Sequence, residues 1–458
     1  MYIDYTPEER KLQTELRAYF AGLITEDIRA EWAGGGEGGG PNYTRVLKQM
    51  GKDGWLGIGW PKEFGGLDRP AIEQHIFFDE VQRAGFPIPF LTLCTVGPTL
   101  MKFGTDEQKA KMLPAILRGE THFAIGYSEP GAGTDLASLK TTAVRDGDDY
   151  IVNGQKIFTS LAEYSDYVWL AVRTNPDAPK HKGISILIVD TKSPGFSYTP
   201  IHTLGGNRTN ATYYDNVRVP VSMRVAGENE GWKLITTQLN HERVALSAPG
   251  PAARFVEEVT AWSRETRLPD GRRVIDQPWV QANLARAKAT IDVLELMTWR
   301  QASNITRGML DPAESSSVKV FGSEGFLKVY QLLLEVLGPA GYVKDGSPGA
   351  ILHGRLEMYS RACIVLTFGG GTNEVQRDII ATIGLKVPRS RLGENHGLHL
   401  RRGPARGGRA FAQDLHRSRH ADGTARGRKR RRSNPSLALE RPGRRGAARD
   451  VDSRRIRR

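Results

Sequence analysis

Cysteine is nearly absent from this chain of 458 residues, which contains only Cys94 and Cys363. The two lie far apart in apolar surroundings, which is typical of buried free thiols in a reducing compartment rather than of a disulfide or a metal site. Long apolar runs are lacking too, since no stretch approaches the roughly 20 residues that cross a bilayer. The sequence therefore predicts a cytoplasmic protein with no metal site and no membrane span.

A secretory signal is not expected, because Asp4, Glu8, Glu9 and Arg10 interrupt any apolar stretch at the N-terminus. An excess of acid is also missing, since the net charge is +13. That charge is uneven: residues 389–458 carry 22 Lys and Arg against six Asp and Glu, which leaves the remainder at about −3. A slightly acidic body does not predict a nucleic-acid groove.

Helical periodicity dominates residues 1–123 and 229–388, whereas residues 124–228 form short segments rich in β-branched and aromatic residues. The fold class predicted is therefore α+β, mainly α, with a middle β domain between two helical ones. Residues 389–458 are rich in Arg and Gly with few large apolar side chains, so this tail is predicted to be disordered.

Local signals place several boundaries. Thr6 caps a first helix that begins at Pro7, and Thr105 or Asp106 caps another in which Pro114 marks a break or a new first turn. The segment 33–41 (AGGGEGGGP) predicts a flexible loop. The remaining signals are the hairpin-type turns predicted at Asp146-Gly147 and Asn153-Gly154.

The predicted β domain contains two polar motifs. Tyr127–Asp135 (YSEPGAGTD) combines glycines, which let a backbone approach a flat or anionic ligand, with hydroxyls that donate hydrogen bonds. Asn153–Ser160 (NGQKIFTS) follows with an aromatic residue and two hydroxyls at a strand end. Either motif alone is compatible with an ordinary loop, but together they indicate a ligand site.

The order of parts over residues 5–388 resembles the acyl-CoA dehydrogenase family. The segments that carry the resemblance, in family order and spacing, are WPKEFGG, GTDEQKAKMLP, YSEPGAGTD, NGQKIFTS, YDNVRVP and GGGTNEVQRDII. Within the family, GGGTNEVQRDII and NHERVAL are most similar to the catalytic α-type subunits of actinobacterial steroid side-chain acyl-CoA dehydrogenases, which act as heterotetramers. The resemblance implies a C-terminal four-helix bundle, with FAD between the bundle and the β domain.

The resemblance also implies roles for individual residues. It puts Tyr127 and Ser128 beside the flavin ring and Phe158 over one flavin face. The other cofactor-binding residues that it implies are Gly133, Thr134, Thr159, Ser160 and Thr372.

The catalytic base needs separate treatment, because removal of an α proton from a thioester requires a carboxylate in a dry site. Many family members carry that Glu at the position matching Gly370, so the usual base is missing here. Helical spacing places Glu242 on an apolar stripe with Ile235, where a charge is costly unless it is paired or functional. A purely structural role for Glu242, in a buried ion pair with Arg243, is the alternative. Some family members have their base at the position matching Glu242, and we predict that role here.

The substrate side is predicted to comprise Arg243, Gly370 and Gly371. The glycine run at 369–371 removes side chains near the reacting carbon and leaves room for a bulky or branched acyl group. It is also compatible with a tight turn before a helix near Asn373. A backbone N–H here would help to polarise the thioester carbonyl, as in the family.

Two departures from the family pattern point to a partner. The Arg-x-x-Phe-Gly element that reaches a neighbouring subunit's FAD is missing, and Glu335 stands where a Gln usually contacts FAD across the interface. A negative charge facing a pyrophosphate is unfavourable. A related acyl-CoA dehydrogenase subunit is therefore expected to complete the site, with an electron-transfer flavoprotein as the acceptor.

Rival functions remain open from sequence alone. A flavin monooxygenase or oxidase on this fold would lack a base placed for α-proton removal. A DNA-associated relative, like the alkylation-response flavoproteins, would need basic surface on the folded body. The tail at 389–458 has the composition of GC-rich DNA translated in a shifted or read-through frame, and a nucleic-acid arm is the alternative.

Overall fold

The structure is a computed structural model. It describes residues 4–25, 28, 31, 38–242, 248–309 and 311–388, and for residues 239–242 it describes the backbone alone. The tail at 389–458, predicted to be disordered, and Arg243 lie outside the described residues. The described elements run from helices through a sheet and back to helices, which confirms the predicted fold class.

The N-terminal helices begin with a cap that the sequence predicted. The hydroxyl of Thr6 accepts a hydrogen bond from the backbone N–H of Glu9, and the Glu9 carboxylate accepts one from the Thr6 N–H. Phe20 and Phe77 from this region are buried in a core that also packs on the sheet. The helices are α1 (Pro7–Leu23), α2 (Pro41–Lys52), α3 (Ala71–Arg83), α4 (Gly97–Phe103) and α5 (Asp106–Leu117).

Two predictions about prolines in this region are wrong. The loop predicted to extend through Pro41 ends before it, because Pro41 is the first residue of α2, where a missing N–H costs no helical bond. Pro114 neither breaks nor restarts α5, which is continuous around it. Leu113 and Ile116 on either side are buried, so tertiary packing holds the helix despite the lost bond.

The middle region forms one twisted sheet with the order β6-β7-β3-β2-β4-β5-β8, and β1 pairs with β4 in parallel. Side chains alternate across it: Trp169 and Ile186 face the core shared with the N-terminal helices, whereas Leu170 and Leu187 face a second core. The strands are β1 (Phe123–Gly126), β2 (Thr142–Asp146), β3 (Asp149–Lys156), β4 (Tyr167–Arg173), β5 (Ile184–Asp190), β6 (Phe196–His202), β7 (Arg208–Pro220) and β8 (Arg224–Val225).

One of the two predicted turns is a turn and the other is not. Gly147, with φ of 62°, joins β2 to β3 in a hairpin, as predicted. Asn153-Gly154 instead lies inside β3, where the register with β7 shifts in a bulge. Gly154 has φ of 146°, and a Cβ there would lie 2.7 Å from the Cα of Thr141, so only glycine lets the two strands approach.

The C-terminal helices pack around a third core that includes Phe255, Ile291 and Leu333. Glu242 is the last described residue of its helix, and the continuation predicted beyond it lies outside the described residues. In the described part of the chain, no helix is long and apolar enough to span a bilayer. The helices are α6 (Gly231–Glu242), α7 (Gly250–Glu265), α8 (Pro278–Thr306), α9 (Pro312–Leu337), α10 (Arg355–Ala362) and α11 (Asn373–Ile379).

Candidate active site

A cavity of about 540 Å³ lies where the N-terminal helices, the sheet and the C-terminal helices meet. Phe86 and Leu91 line it from the N-terminal side, Ser160 from the segment after β3, and Gly370 from the segment before α11. Most of the lining is apolar, as expected for a site that excludes water around a few polar groups. Ser160, predicted to bind the cofactor, and Gly370, predicted to bind substrate, therefore share one cavity.

The Tyr127–Asp135 segment is fastened to β3 by a buried ion pair. Lys156 Nζ donates to Glu129 Oε1 at 2.9 Å and to the backbone oxygen of Tyr127 at 3.1 Å. Glu129 also accepts from the N–H of Lys140 and from both the N–H and the hydroxyl of Thr141. Every oxygen of the carboxylate is thus used, which is what a buried charge requires.

The electrostatics of this pair favour the ionised form at neutral pH. Burial lowers the pKa of Lys156 to about 8, although the Glu129 carboxylate opposes the shift. Burial acts to raise the pKa of Glu129, but the charge of Lys156 and the hydrogen bonds from Thr141 outweigh it and hold that pKa below its usual range. The lysine is therefore charged near pH 7, and the pair fixes the backbone of Tyr127.

Phe158, Thr159 and Ser160 leave β3 in a strained but well-held conformation. Phe158 has φ of 62°, which is uncommon for an aromatic residue, and its ring is 62% exposed. The backbone N–H of the neighbouring Thr159 donates to the backbone oxygen of Asn210 at 2.9 Å, and the side-chain amide of Asn210 donates to the backbone oxygen of Thr159 at 3.2 Å. The Ser160 hydroxyl donates to Thr209 at 3.1 Å. The structure thus presents a flat aromatic face beside two hydroxyl-bearing residues.

These features fit a flavin dinucleotide. Apart from each glycine and its two chain neighbours, no atom of the described residues lies within 4 Å of a Cβ built on Gly131 or Gly133, so the loop offers an open backbone face to a flat or anionic group. Thr134 is exposed on the same loop. Thr372 has a different contact, since its hydroxyl accepts from the N–H of Val375 and caps α11.

The end of α6 approaches the same region. The hydroxyl of Tyr127 donates to Oε1 of Gln238, which is fully buried, and Nε2 of Gln238 has no hydrogen-bond partner among the described residues. Position 242 lies one helical turn beyond position 238, on the same face of α6. Ala248, the first residue described after 243–247, lines the cavity. The described residues on either side of 243–247 therefore lie near the site, with Gln238 at the Tyr127 loop and Ala248 at the cavity.

The glycine run serves a turn and also lines the cavity. Gly370 and Gly371 have φ of 67° and 98°, and Asn373 begins α11 directly after them. Lys319 Nζ donates to the backbone oxygen of Gly371 at 2.7 Å and fixes the turn. Gly370 faces the cavity without a side chain. The turn predicted before the helix near Asn373 is therefore confirmed, and the room for a bulky acyl group stays a prediction.

Glu374, two residues after Thr372, is the alternative candidate for the base if Glu242 does not fill that role. It lies in the first turn of α11, where it is exposed, and it is not among the described residues that line the cavity. Its own backbone N–H and the Thr372 hydroxyl hold the pKa of the Glu374 carboxyl below its usual range. A group with these properties is a poor acceptor for an α proton.

Sequence reasoning missed the Glu129–Lys156 pair and two cavity tyrosines, Tyr330 and Tyr359. A lysine near the end of the YIVNGQKIF strand was the available signal for the first, because a buried lysine needs an acidic partner. Nothing in the sequence marked the tyrosines, which resemble ordinary core residues of α9 and α10. Among the described residues, no three His, Cys, Asp or Glu side chains cluster in a way that would hold a metal ion.

Comparison with known proteins agrees with this architecture. Family models for the N-terminal, middle and C-terminal domains of acyl-CoA dehydrogenases match residues 6–120, 124–217 and 229–385. Acyl-CoA dehydrogenase FadE26 of Mycobacterium tuberculosis is 56% identical over 399 residues, which cover 85% of this chain and 100% of that protein. Acyl-CoA dehydrogenase FadE29 of the same organism is 52% identical over 392 residues, 85% of this chain and 99% of the relative.

Solved structures show the same likeness. A chain in the crystal structure of the ChsE4–ChsE5 complex from Mycobacterium tuberculosis is 56% identical, with a TM-score of 0.80, and the match covers 85% of this chain and all of that one. A chain of the Tcur3481–Tcur3483 steroid acyl-CoA dehydrogenase is 53% identical, with a TM-score of 0.81 and the same coverage. The protein described here is a member of the acyl-CoA dehydrogenase family and an acyl-CoA dehydrogenase.

Proposed function

We propose that this chain is the catalytic subunit of a FAD-dependent enzyme that removes two hydrogens from the α and β carbons of an acyl-CoA thioester, with Glu242 as the proton acceptor. The observation that carries the proposal is the contact of Gln238 with Tyr127. Because Tyr127 belongs to the proposed cofactor loop and position 242 follows Gln238 by one turn, the base would lie at the border of cofactor and cavity.

The residues proposed to hold FAD are Tyr127, Ser128, Gly133, Thr134, Phe158, Thr159, Ser160 and Thr372. The bound flavin supplies the acceptor that takes the β hydrogen as hydride. Lys156 and Glu129 keep the Tyr127 loop against β3, so that the loop is preorganised rather than ordered by the ligand.

On the substrate side, Glu242 accepts the α proton, and the apolar cavity keeps water from competing for it. Gly370 and Gly371 lie where the thioester is proposed to bind, and a backbone N–H of this turn polarises its carbonyl oxygen. Arg243 is proposed to lie on the same side. A general base of this kind contributes roughly 10²–10⁴-fold in rate.

The substrate we propose is the CoA thioester of a steroid side chain. The support is the steroid acyl-CoA dehydrogenase among the related structures, the cavity of about 540 Å³, and the lack of side chains at 369–371. A linear acyl chain would leave much of such a cavity unfilled, and unfilled apolar space forfeits packing contacts.

A related acyl-CoA dehydrogenase subunit is the proposed partner, in a heterotetramer located in the cytoplasm, with an electron-transfer flavoprotein as acceptor. Two of the related structures contain two different chains. Glu335 supports the proposal, because it is exposed on α9 and Asn283 donates to its carboxylate at 2.9 Å. An exposed carboxylate held in place there disfavours an FAD pyrophosphate from an identical subunit.

The test is to produce the chain alone and together with the acyl-CoA dehydrogenase subunit encoded beside it. The lone chain is expected to hold little FAD, whereas the co-purified pair binds FAD and oxidises a steroid side-chain CoA thioester faster than linear CoA thioesters in a matched panel. A yellow homotetramer with one FAD per lone chain would contradict the partner, and a preference for linear thioesters would contradict the substrate.

A further inference from the structure

Two tyrosines occupy one wall of the cavity, Tyr330 on α9 and Tyr359 on α10. Tyr330 is only 3% exposed. The rings are held by aromatic neighbours: Phe255 lies 5.8 Å from Tyr330 and 5.2 Å from Tyr359, both edge-on, and Phe326 stacks on Tyr330 at 6.3 Å. The two phenol rings themselves are 6.4 Å apart. Such packing fixes the direction of both hydroxyls.

Neither hydroxyl makes a hydrogen bond within the described part of the chain. Both residues line an apolar cavity, which offers a phenol few partners of its own, so a ligand that pairs these hydroxyls would gain hydrogen bonds. The Tyr127 hydroxyl, by contrast, is paired with Gln238. The pair on this wall is therefore arranged as donors for something that enters the cavity.

Both groups stay protonated in this setting. Burial raises the pKa of Tyr330 well above its usual value, with Cys363 and Tyr359 adding to the effect, and burial raises the pKa of Tyr359 as well. Neutral phenols donate to a ketone or accept from and donate to a hydroxyl. The side chains around them on this wall, among them Phe326, Met358 and Leu366, are apolar. A ligand that suits the wall is an apolar body with one oxygen.

The tyrosines lie away from the reacting end. From Tyr359 the chain passes through the end of α10 and the short helix Cys363–Thr367 before it reaches Gly370, a rise of roughly 15 Å. The thioester is proposed to bind at the glycine turn, so the tyrosines face the far part of the acyl group. A fused-ring skeleton is rigid and spans a distance of this order.

We propose that Tyr330 and Tyr359 form a recognition site for an oxygen substituent, a ketone or a hydroxyl, on the distal ring of a fused-ring acyl group. This inference rests on the proposed function and extends it to the residues that select the substrate. A site built to hydrogen-bond an oxygen discriminates strongly against the analogue that lacks it, because its own donors are then left unpaired. These two hydroxyls do not increase the affinity for an acyl group whose distal ring carries no oxygen.

The test uses the enzyme assembled with its partner subunit and two CoA thioesters with the same fused-ring skeleton and side chain, one with a ring ketone and one with a methylene at that carbon. Wild-type enzyme is expected to prefer the ketone at least about tenfold in kcat/KM. Tyr330→Phe and Tyr359→Phe each lower kcat/KM for the ketone about tenfold, chiefly through KM, and leave the methylene compound within about twofold. Binding of the unsaturated ketone product, measured without turnover, weakens in parallel.

Tyr342→Phe is the matched control, since Tyr342 is 57% exposed and is not among the described residues that line the cavity. This variant is expected to leave kcat/KM unchanged for both the ketone and the methylene thioester. Thermal stability separates recognition from packing, because removal of an unpaired buried hydroxyl leaves the melting temperature unchanged or raises it. Equal losses for both thioesters, or none for the ketone, would overturn the inference while dehydrogenation itself still supports the proposed function. If wild-type enzyme oxidised neither compound, the proposed function would fail and this inference with it.

Discussion

The two sides of the proposed site are built on opposite principles. On the sheet side, behind the Tyr127–Asp135 loop and outside the cavity lining, Lys156 and Glu129 are both buried and use their hydrogen-bonding capacity within the chain. On the helical side, Tyr330 and Tyr359 lack partners among the described residues, and Gly370 has no side chain at all. The sheet side is complete before any ligand arrives, whereas the helical wall of the cavity leaves donors and space for one.

This difference matches the division of labour expected in a flavoenzyme. A cofactor used in every turnover benefits from a rigid platform, since preorganised contacts need no ordering at binding. A wall that selects among acyl groups gains more from unpaired donors, which make binding of the wrong compound unfavourable. The asymmetry between the two sides of the site can be tested by substitutions on each side.

The largest effect is expected for Glu242→Gln at the end of α6. The amide keeps the shape of the carboxylate but cannot accept the α proton, so turnover falls by about 10³-fold or more. Steady-state oxidation of the preferred CoA thioester by the assembled enzyme measures it, with FAD content as a check on folding. Glu374→Gln is the control and retains activity, because Glu374 is exposed outside the cavity lining.

The sheet side is tested by Lys156→Met, which leaves Glu129 charged and buried without its partner. We expect the free energy of unfolding to fall by about 3 kcal/mol, since breaking a buried pair strands a charge. Lys180→Met is matched to it, because Lys180 pairs with Asp135 at the other end of the same loop. That pair is exposed, and its loss costs about 1 kcal/mol or less. Denaturant unfolding of both variants gives the comparison, and equal costs would show that the loop is not held as described.

A buried carboxyl contacts the start of α7, the helix whose Pro251 lines the cavity. Asp79 on α3 accepts a hydrogen bond from the N–H of Gly250 at 2.6 Å. Burial raises the pKa of Asp79 to about 7, the carboxylates of Glu80 and Glu295 add to the shift, and the Gly250 N–H and Arg83 oppose it. The folded state therefore binds this proton more tightly than the unfolded chain does.

Because the folded state holds this proton more tightly, Asp79 contributes to the free energy of unfolding in a pH-dependent way. The contribution is fully present below the unfolded pKa of about 4 and is lost as pH rises through the folded pKa of about 7. Asp79→Asn removes that loss, so the variant gains stability relative to wild type between pH 5 and 8, by about 1.4 kcal/mol per pH unit at most. Unfolding midpoints at four pH values measure the trend. Asp106→Asn, at an exposed carboxyl of α5, is the control, and a flat Asp79→Asn difference would contradict the buried acid.

The smallest effect is expected from removal of residues 389–458. Every described helix and strand ends before Pro388, so a chain that ends there should retain FAD, assembly and kcat/KM within about twofold. Non-specific DNA binding at low salt should fall, because about 16 net positive charges are removed. Loss of assembly would instead identify the tail as a docking element.

Local chemistry predicted much of the fold, and distant contacts account for what it missed. The Thr6 cap and the Asp146-Gly147 hairpin depend on neighbours in sequence, and both were predicted. Pro114 and Asn153-Gly154 were misassigned because core packing and the approach of Thr141 override local preference. Glu129 and Lys156 lie 27 residues apart, and the tyrosines come from two helices, so only the folded chain brings these groups together.

The most direct measurement of the central claim is exchange of the α hydrogen of a CoA thioester in heavy water. The assembled enzyme with its flavin already reduced cannot complete dehydrogenation, so exchange reports proton removal alone. Wild-type and Glu374→Gln enzymes are predicted to incorporate deuterium at the α carbon, and Glu242→Gln is predicted to bind the thioester without exchange. Undiminished exchange by Glu242→Gln would show that another group removes the proton and would contradict the account.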